Sequence, residues 1–284
     1  MITDRQCHSK LKDILKNVNN IQDKIFISHI IDKQLYSYEH SCFSFTDFCD
    51  PYERSLCTSL LTAKNGFNIA YSGGYDNAER VIGIIGFEGF KKDFTPDNIV
   101  RQNLTCLKVV TSSDRLLSHR DYLGSLMGIG IERYKFGDII VKDTSESTRI
   151  RNTEQSAFIV SKTDVADFVK ANFDKVSNAR AIVSETTFEE LYTNIPKPVI
   201  KKIIVSSMRL DCIISSAYNC SRSEAQEYIK AKRVFVNWRL CGESDKKIYS
   251  GDMINLRGKG RLHINEPAGM TKKDRIVIEA EIFN

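Results

Sequence analysis

The sequence predicts an α+β chain of three small domains. These are an N-terminal α/β domain over 1–79, a middle ferredoxin-like βαββαβ domain over 80–190, and a basic C-terminal module over 208–265. A linker at 191–207 precedes the module, and 266–284 reads as a final strand and tail. Three observations lead there. The chain has 284 residues, room for about two domains or three small ones. Apolar strand-like runs alternate with amphipathic helical patterns through its middle. Its surplus of positive charge falls in a single stretch near the C-terminus.

The N-terminal domain opens on a helical pattern, with Cys7, Leu11, Ile14, Leu15 and Val18 recurring at three- and four-residue steps. Asp50 caps a second helix with Pro51 at its first position, where a missing N–H costs nothing. That helix carries Leu56, Leu60 and Leu61 and stops at Asn65-Gly66. Phe67 to Tyr71 is a short strand, and Gly73-Gly74 turns the chain.

From Arg80 the pattern changes. Val81 to Phe87 and Leu104 to Val110 are strands, the first of them wholly apolar. Ser118 caps the next helix and Asp121 reaches back to it, a capping box. Leu123, Leu126 and Met127 line that helix, which ends near Gly128-Ile129-Gly130. Strands Ile139 to Lys142 and Ala157 to Val160 pair, followed by a helix from Val165 to Phe173 and a strand from Ala179 to Ser184. This succession is close to βαββαβ, the topology also used by RRM-type RNA binders. No aromatic RNP-type motif sits on these strands, so base stacking on this sheet is not expected.

Composition excludes several classes. Hydrophobic residues make up 42% and charged residues 27%, with 5 prolines and 15 glycines, which is neither collagenous nor low-complexity. No apolar run is long enough to span a membrane and no signal peptide is read, so a cytoplasmic protein is expected. The eight cysteines show no CxxC spacing and read as reduced thiols, with no metal site and no cofactor. Of the charge, residues 208–264 hold eleven Lys/Arg against six Asp/Glu, a surplus of five that equals the net charge of the whole chain. A compact module with that surplus is an electrostatic footprint for a polyanion.

Within the module, a short helix through Ile213, Ile214 and Ala217 is followed by Ser221-Arg222-Ser223-Glu224, a second capping box that opens a helix running to about Lys232. At 100° per residue, Arg222, Gln226, Lys230 and Arg233 share an arc of about 80°, beside the packing residues Ala225, Tyr228 and Ile229. The N–H groups behind Ser221 suit a phosphate. Val234 to Val236 and Met253 to Leu256 are strands, and Arg257-Gly258-Lys259-Gly260-Arg261 has three cations with two glycines between them. The expected RNA contacts are Arg209, Ser221, Arg222, Lys230, Lys232, Arg233, Arg257, Lys259 and Arg261, gathered on one side of the module. His119 and Arg120, in the first turn of the middle domain's capped helix, form a second cationic corner.

Residues 208–264 resemble the alpha-L RNA-binding domain named after small-subunit ribosomal protein four. Arg209-Leu210-Asp211, Ser221 to Ala225, Ile229-Lys230, Arg233-Val234, Val236-Asn237 and Gly251-Asp252 carry the likeness. Trp238 departs from it, standing where a glycine usually completes the hairpin turn. Thr46 to Pro51, Gly73-Gly74-Tyr75, Ala78-Glu79-Arg80, His119 to Gly124 and Gly137-Asp138-Ile139 extend the resemblance over nearly the whole chain, to the YlmH family of bacterial RNA-binding proteins. So do Lys259-Gly260-Arg261 and Thr271-Lys272-Lys273, while Cys49 and Tyr52 depart. The resemblance implies a non-catalytic monomer that binds ribosomal RNA and tRNA on the large subunit carrying peptidyl-tRNA. It also implies a part in ribosome-associated quality control, where alanine tails are added to stalled nascent chains.

Enzyme-like motifs weigh less. His119-Arg120-Asp121 echoes a kinase catalytic loop, but Leu126 stands where that loop needs Asn. Arg209-Leu210-Asp211 occurs in pseudouridine synthases around a catalytic aspartate, which makes a pseudouridine-synthase-like RNA-modifying enzyme the alternative reading. Here the motif opens the small module rather than a large catalytic domain, and Asp211 reads as a helix cap. An interaction adaptor with an incidental basic module is the third option.

Overall fold

The computed structural model describes residues 14–16, 18–61, 67–86, 95–142 and 153–283. The chain divides into two units, residues 1–196 and 197–284.

In the first unit, α1 (Ile21–His40) opens on Asn20, whose side chain accepts from the N–H groups of Gln22 and Asp23. Periodicity does not announce this helix, because Ile21, Ile25, Tyr36 and Tyr38 lie exposed and blur its apolar stripe. Of the helix expected around Cys7 to Val18, residues 14–16 are helical, and Cys7 and Leu11 lie outside the described residues. β1 (Ser44–Cys49) leads into α2 (Pro51–Leu60). There Asp50 Oδ1 accepts from Glu53 N–H at 2.9 Å and Glu53 Oε2 accepts from Asp50 N–H at 2.7 Å, so the cap closes in both directions. The stop expected at Asn65-Gly66 lies outside the described residues.

β2 (Ile69–Ser72) and β3 (Val81–Ile85) complete a three-stranded antiparallel sheet in the order β1-β3-β2. This corrects the placement of Val81–Ile85, expected with the middle sheet. Every residue of β3 is buried, so the strand needs cover on both faces and two flanking partners, which the central position of the N-terminal sheet supplies.

The ferredoxin-like unit therefore starts one strand later. After α3 (Pro96–Val100) come β4 (Leu104–Ser113), α4 (His119–Gly128), β5 (Phe136–Val141), β6 (Thr153–Lys162) and α5 (Thr163–Asn172). The two-residue β7 (Lys175–Val176), β8 (Ala179–Thr186) and α6 (Phe188–Thr193) follow. The sheet order is β5-β6-β4-β8-β7, antiparallel throughout. Without β7, that is the order a βαββαβ unit produces.

Both faces of this sheet are used for packing. Leu107, Val109 and Ile159 meet Tyr122 and Leu126 of α4 and Val169 of α5 on one side. On the other, Cys106, Phe158 and Val160 meet Phe48, Val81 and Ile82 of the N-terminal sheet and Leu191 of α6. The two sheets approach so closely that a Cβ on Gly137 would come 2.7 Å from the Phe48 ring. A polar knot pins the joint. Asp138 accepts from Tyr75 Oη at 2.5 Å, Glu79 N–H at 2.8 Å and Arg80 N–H at 3.0 Å. Arg80 in turn donates to the carbonyls of Phe48 and Phe136. The motifs around Gly73-Gly74-Tyr75, Glu79-Arg80 and Gly137-Asp138 are thus parts of one structural joint.

In the second unit, six strands run in the order β11-β10-β12-β13-β14-β9. They are β9 (Val199–Val205), β10 (Val234–Val236), β11 (Arg239–Leu240), β12 (Met253–Leu256), β13 (Gly260–Met270) and β14 (Ile276–Phe283). The stretch expected as a linker, 191–207, contains β9, which pairs antiparallel with β14 from Val205↔Ile276 to Val199↔Ile282. Burial of Ile203 and Val205 gives that strand its place in the core. The stretch expected as a tail, 266–284, supplies β14 and the end of β13. Helices α7 (Leu210–Ala217) and α8 (Arg222–Lys230) pack on one face of the sheet, with Ile213, Ile214, Ala225 and Ile229 against Val234, Ile254, Leu256 and Leu262.

Candidate nucleic-acid interface

The helical layer of the second unit is organised around one carboxylate. Asp211 lies in the first turn of α7 and is 0% exposed. Arg209 grips it with two hydrogen bonds, Nε to Oδ1 and Nη2 to Oδ2, both at 3.1 Å. Arg222, the first residue of α8, donates to Oδ2 at 2.9 Å, and Gln226 one turn on donates at 3.1 Å. Burial pushes the Asp211 carboxyl up, but the bonds from Arg209, Arg222 and Gln226 outweigh it and hold the group well below the usual carboxylate range. One anion thus fixes two guanidiniums that remain 40% and 53% exposed, and the cluster keeps one positive charge in excess.

Asp211 is therefore not the cap of α7. Arg209 occupies that position without a side-chain cap bond. The Asp211 and Leu210 N–H groups are met instead by the carbonyls of Ser244 and Lys246.

Ser221 forms the expected box: its Oγ accepts from Glu224 N–H at 3.1 Å, and Glu224 Oε2 accepts from Ser221 N–H at 2.8 Å. The Glu224 carboxylate is held on the Ser221 N–H and the Glu224 N–H on Ser221 Oγ, so of the N–H groups behind Ser221 those of Arg222 and Ser223 face an outside anion. The helix ends at Lys230, before the expected Lys232, whose backbone turns left-handed at φ 56°.

The remaining cations sit at the end of α8, just before β10, and at and beyond the β12–β13 turn. Arg233 leaves the helical arc; its guanidinium donates to the Arg257 carbonyl at 2.7 Å and lies 4.9 Å from the Tyr228 ring. Gly258, at φ +84°, passes close enough that a Cβ there would meet Arg233 Nη2 at 3.1 Å. Arg257 lies over Phe235 at 4.7 Å, and Arg261 over Trp238 at 5.9 Å and Phe283 at 5.6 Å. Lys230, Lys232 and Lys259 are exposed, and no ion pair among the described residues holds them.

The single-sided cluster expected from sequence is thus divided. Side chains alternate along a strand, and Ile254, Leu256, Leu262 and Ile264 point to the helices. Arg257 and Arg261 therefore lie on the opposite face from Arg209 and Arg222. In the first unit, His119 and Arg120 are exposed in the opening turn of α4. Beside them, Asp121 accepts from the Ser118 N–H at 2.8 Å and pairs with Arg115 at 2.5 Å.

Comparison with known proteins places these pieces. Residues 109–190 match the family model described as "Putative RNA-binding domain in YlmH", and residues 208–254 match the S4 domain. The chain is 30% identical over 253 residues to the ribosome-associated protein quality control protein P2 of Bacillus subtilis (strain 168), covering 89% of this chain and 92% of that protein. The chain belongs to the YlmH family. A solved structure, the cell division protein ylmH from Streptococcus pneumoniae, aligns with 61% of this chain and 96% of its own at TM-score 0.45 and 19% identity.

In this YlmH-family chain the S4 match begins at Met208, one residue before the Asp211 cluster. Sequence reasoning named both arginines of that cluster but missed Asp211 as their anchor and Gln226 as its fourth member. A signal was available: Asp211 is an acid inside an otherwise apolar helical run, Leu210 to Ile214, and such a group is buried only when paired. Trp238 keeps the two-residue turn in spite of its bulk. Asn237 and Trp238 both take left-handed φ, 48° and 66°, the geometry of a type I′ hairpin. Asn237 is pinned there by bonds to Asp252 at 2.7 Å and to the Met253 N–H at 2.9 Å. Among the described residues no helix is long and apolar enough to cross a membrane.

Proposed function

We propose that this protein is a non-catalytic monomer that binds ribosomal RNA and tRNA on the large ribosomal subunit carrying peptidyl-tRNA, and assists the alanine tailing of stalled nascent chains. The B. subtilis relative, named for ribosome-associated quality control, supports the setting. The observation that carries the reading is the Asp211 cluster in the S4 module. Its two guanidiniums are held at fixed positions before any ligand arrives, and phosphate binding then costs little side-chain entropy. Arg233, Lys230, Lys232, Lys259 and the N–H groups behind Ser221 add contacts that set affinity and position without reading bases. His119 and Arg120 supply a further phosphate contact from the first unit.

The same cluster argues against a pseudouridine-synthase-like role for Asp211. Its oxygens are already bonded to Arg209, Arg222 and Gln226, and it is fully buried. The test is co-sedimentation with large subunits carrying peptidyl-tRNA. Lys230→Glu with Lys259→Glu is the clean variant, because Arg222→Glu would also set a carboxylate against Asp211. The double variant is expected to stay in the supernatant; pelleting equal to wild type would refute the interface.

A further inference from the structure

The hairpin that joins β13 to β14 runs past the core it belongs to. Toward its tip the last buried residues are Ile264 on β13 and Ile278 on β14, and Glu266 to Met270 and Lys272 to Arg275 are all exposed. β12 accompanies β13 only from Gly260 to His263. Ordering this arm costs chain entropy that no burial along Glu266 to Met270 offsets. Its purpose therefore lies outside the core.

Thr271 organises the tip. Its N–H donates to the Arg275 carbonyl at 2.8 Å, and its own carbonyl accepts from the Asp274 N–H at 3.0 Å. Its Oγ1 accepts from the N–H groups of Arg275 at 3.2 Å and Lys273 at 3.4 Å. Asp274 takes a left-handed φ of 53°, which an aspartate tolerates. The backbone that carries Lys272, Lys273 and Arg275 is thus fixed. No ion pair among the described residues holds these three side chains. Asp274 is the acid within the turn; Glu266 and Glu279 stand on the arms, with Glu279 across from Lys202. Charges that only guard a sheet edge stand along the strand, whereas these cations stand in the turn itself.

The chain path sets the tip near the Asp211 cluster. β9 ends at Val205, which pairs with Ile276, the residue after Arg275, and Arg209 follows four residues beyond Val205. Even with that stretch fully extended, the backbones of Arg209 and Arg275 lie within about 23 Å. The tip, Thr271 to Arg275, has no aromatic residue, so it suits phosphates rather than bases. It also lies outside residues 208–254, the stretch that matches the S4 domain.

We propose that the tip of the β13–β14 hairpin is a second phosphate grip, holding the same RNA helix as the Asp211 cluster a few phosphates further along. A rigid helix meets two fixed cationic points at once, and each point reduces the orientations open to the other. The inference rests on the RNA-binding reading above but on different residues.

The experiment titrates the full-length protein with a closed RNA hairpin of about sixteen base pairs at fixed salt, reading affinity and stoichiometry. One RNA per protein is expected. Lys272→Ala with Lys273→Ala and Arg275→Ala should weaken binding about tenfold at an unchanged unfolding midpoint. Thr271→Ala keeps all three cations but loosens the turn; it should cost about threefold, and Thr271→Ser should restore the loss. Wild-type affinity in the triple variant would overturn the proposal and turn attention to an acidic protein surface as the partner of the tip. Two RNAs per protein, falling to one in the triple variant, would overturn it as well, since the two grips would then hold separate helices. Failure of the wider reading looks different: Lys230→Glu with Lys259→Glu would then bind the RNA as well as wild type.

Discussion

The middle sheet of the first unit and the sheet of the second make opposite use of their faces. The middle sheet has helices on one side and the N-terminal sheet on much of the other, so Ala157 to Val160 are all buried. The second sheet has helices on one side only, and its strands alternate: Val234 and Val236 in, Phe235 out; Ile254 and Leu256 in, Asn255 out. An RRM-like topology therefore does not bring an RRM-like surface with it, because part of the face that would bind bases is spent on holding two sheets together.

The largest expected effect comes from opening the closed sheet. Phe158→Ala, between the two sheets, should cost about 3–5 kcal/mol, read as a lower denaturant midpoint, while RNA affinity under fully native conditions stays unchanged. A parallel loss of RNA affinity would mean that the middle sheet does more than hold the fold.

A smaller effect is expected at the Asp211 cluster. Asp211→Asn should destabilise by about 1–2 kcal/mol, a value reduced because both arginines remain about half exposed. Because the folded carboxyl is held below its unfolded value, its contribution is complete above a pH of about 4 and fades as pH falls through the folded value. The stability gap between wild type and Asp211→Asn should thus be constant from about pH 5 to 7 and narrow below pH 4. A gap that widened on acidification would contradict the assigned sign. The smallest change is Lys230→Ala, which should weaken RNA binding uniformly across sequences and reduce the salt slope by about 1.

Much of this architecture was legible because local signals agreed with it. The caps at Asp50, Ser118 and Ser221 are side-chain chemistry written in three or four neighbouring residues, and each starts a helix where expected. The affiliation of β3 was not legible: a strand buried on both faces looks the same whichever sheet it joins. β9 escaped notice because Lys201 and Lys202 interrupt its apolar run, although Lys201 folds back to the Ala217 carbonyl at the end of α7. At the site, residue types were readable and sides were not. The alternation of Ile254, Leu256, Leu262 and Ile264 already puts Arg257 and Arg261 on the opposite face, but only strand register turns that pattern into a place.

The central claim is that the S4 module grips RNA through phosphates. Its most direct test is the affinity of the full-length protein for a structured RNA measured across salt concentrations. With about five phosphates neutralised, log K should fall against log salt with a slope near −4, and Lys230→Glu with Lys259→Glu should flatten it by about 2. A wild-type affinity indifferent to salt, or a slope that the double variant leaves unaltered, would contradict the account.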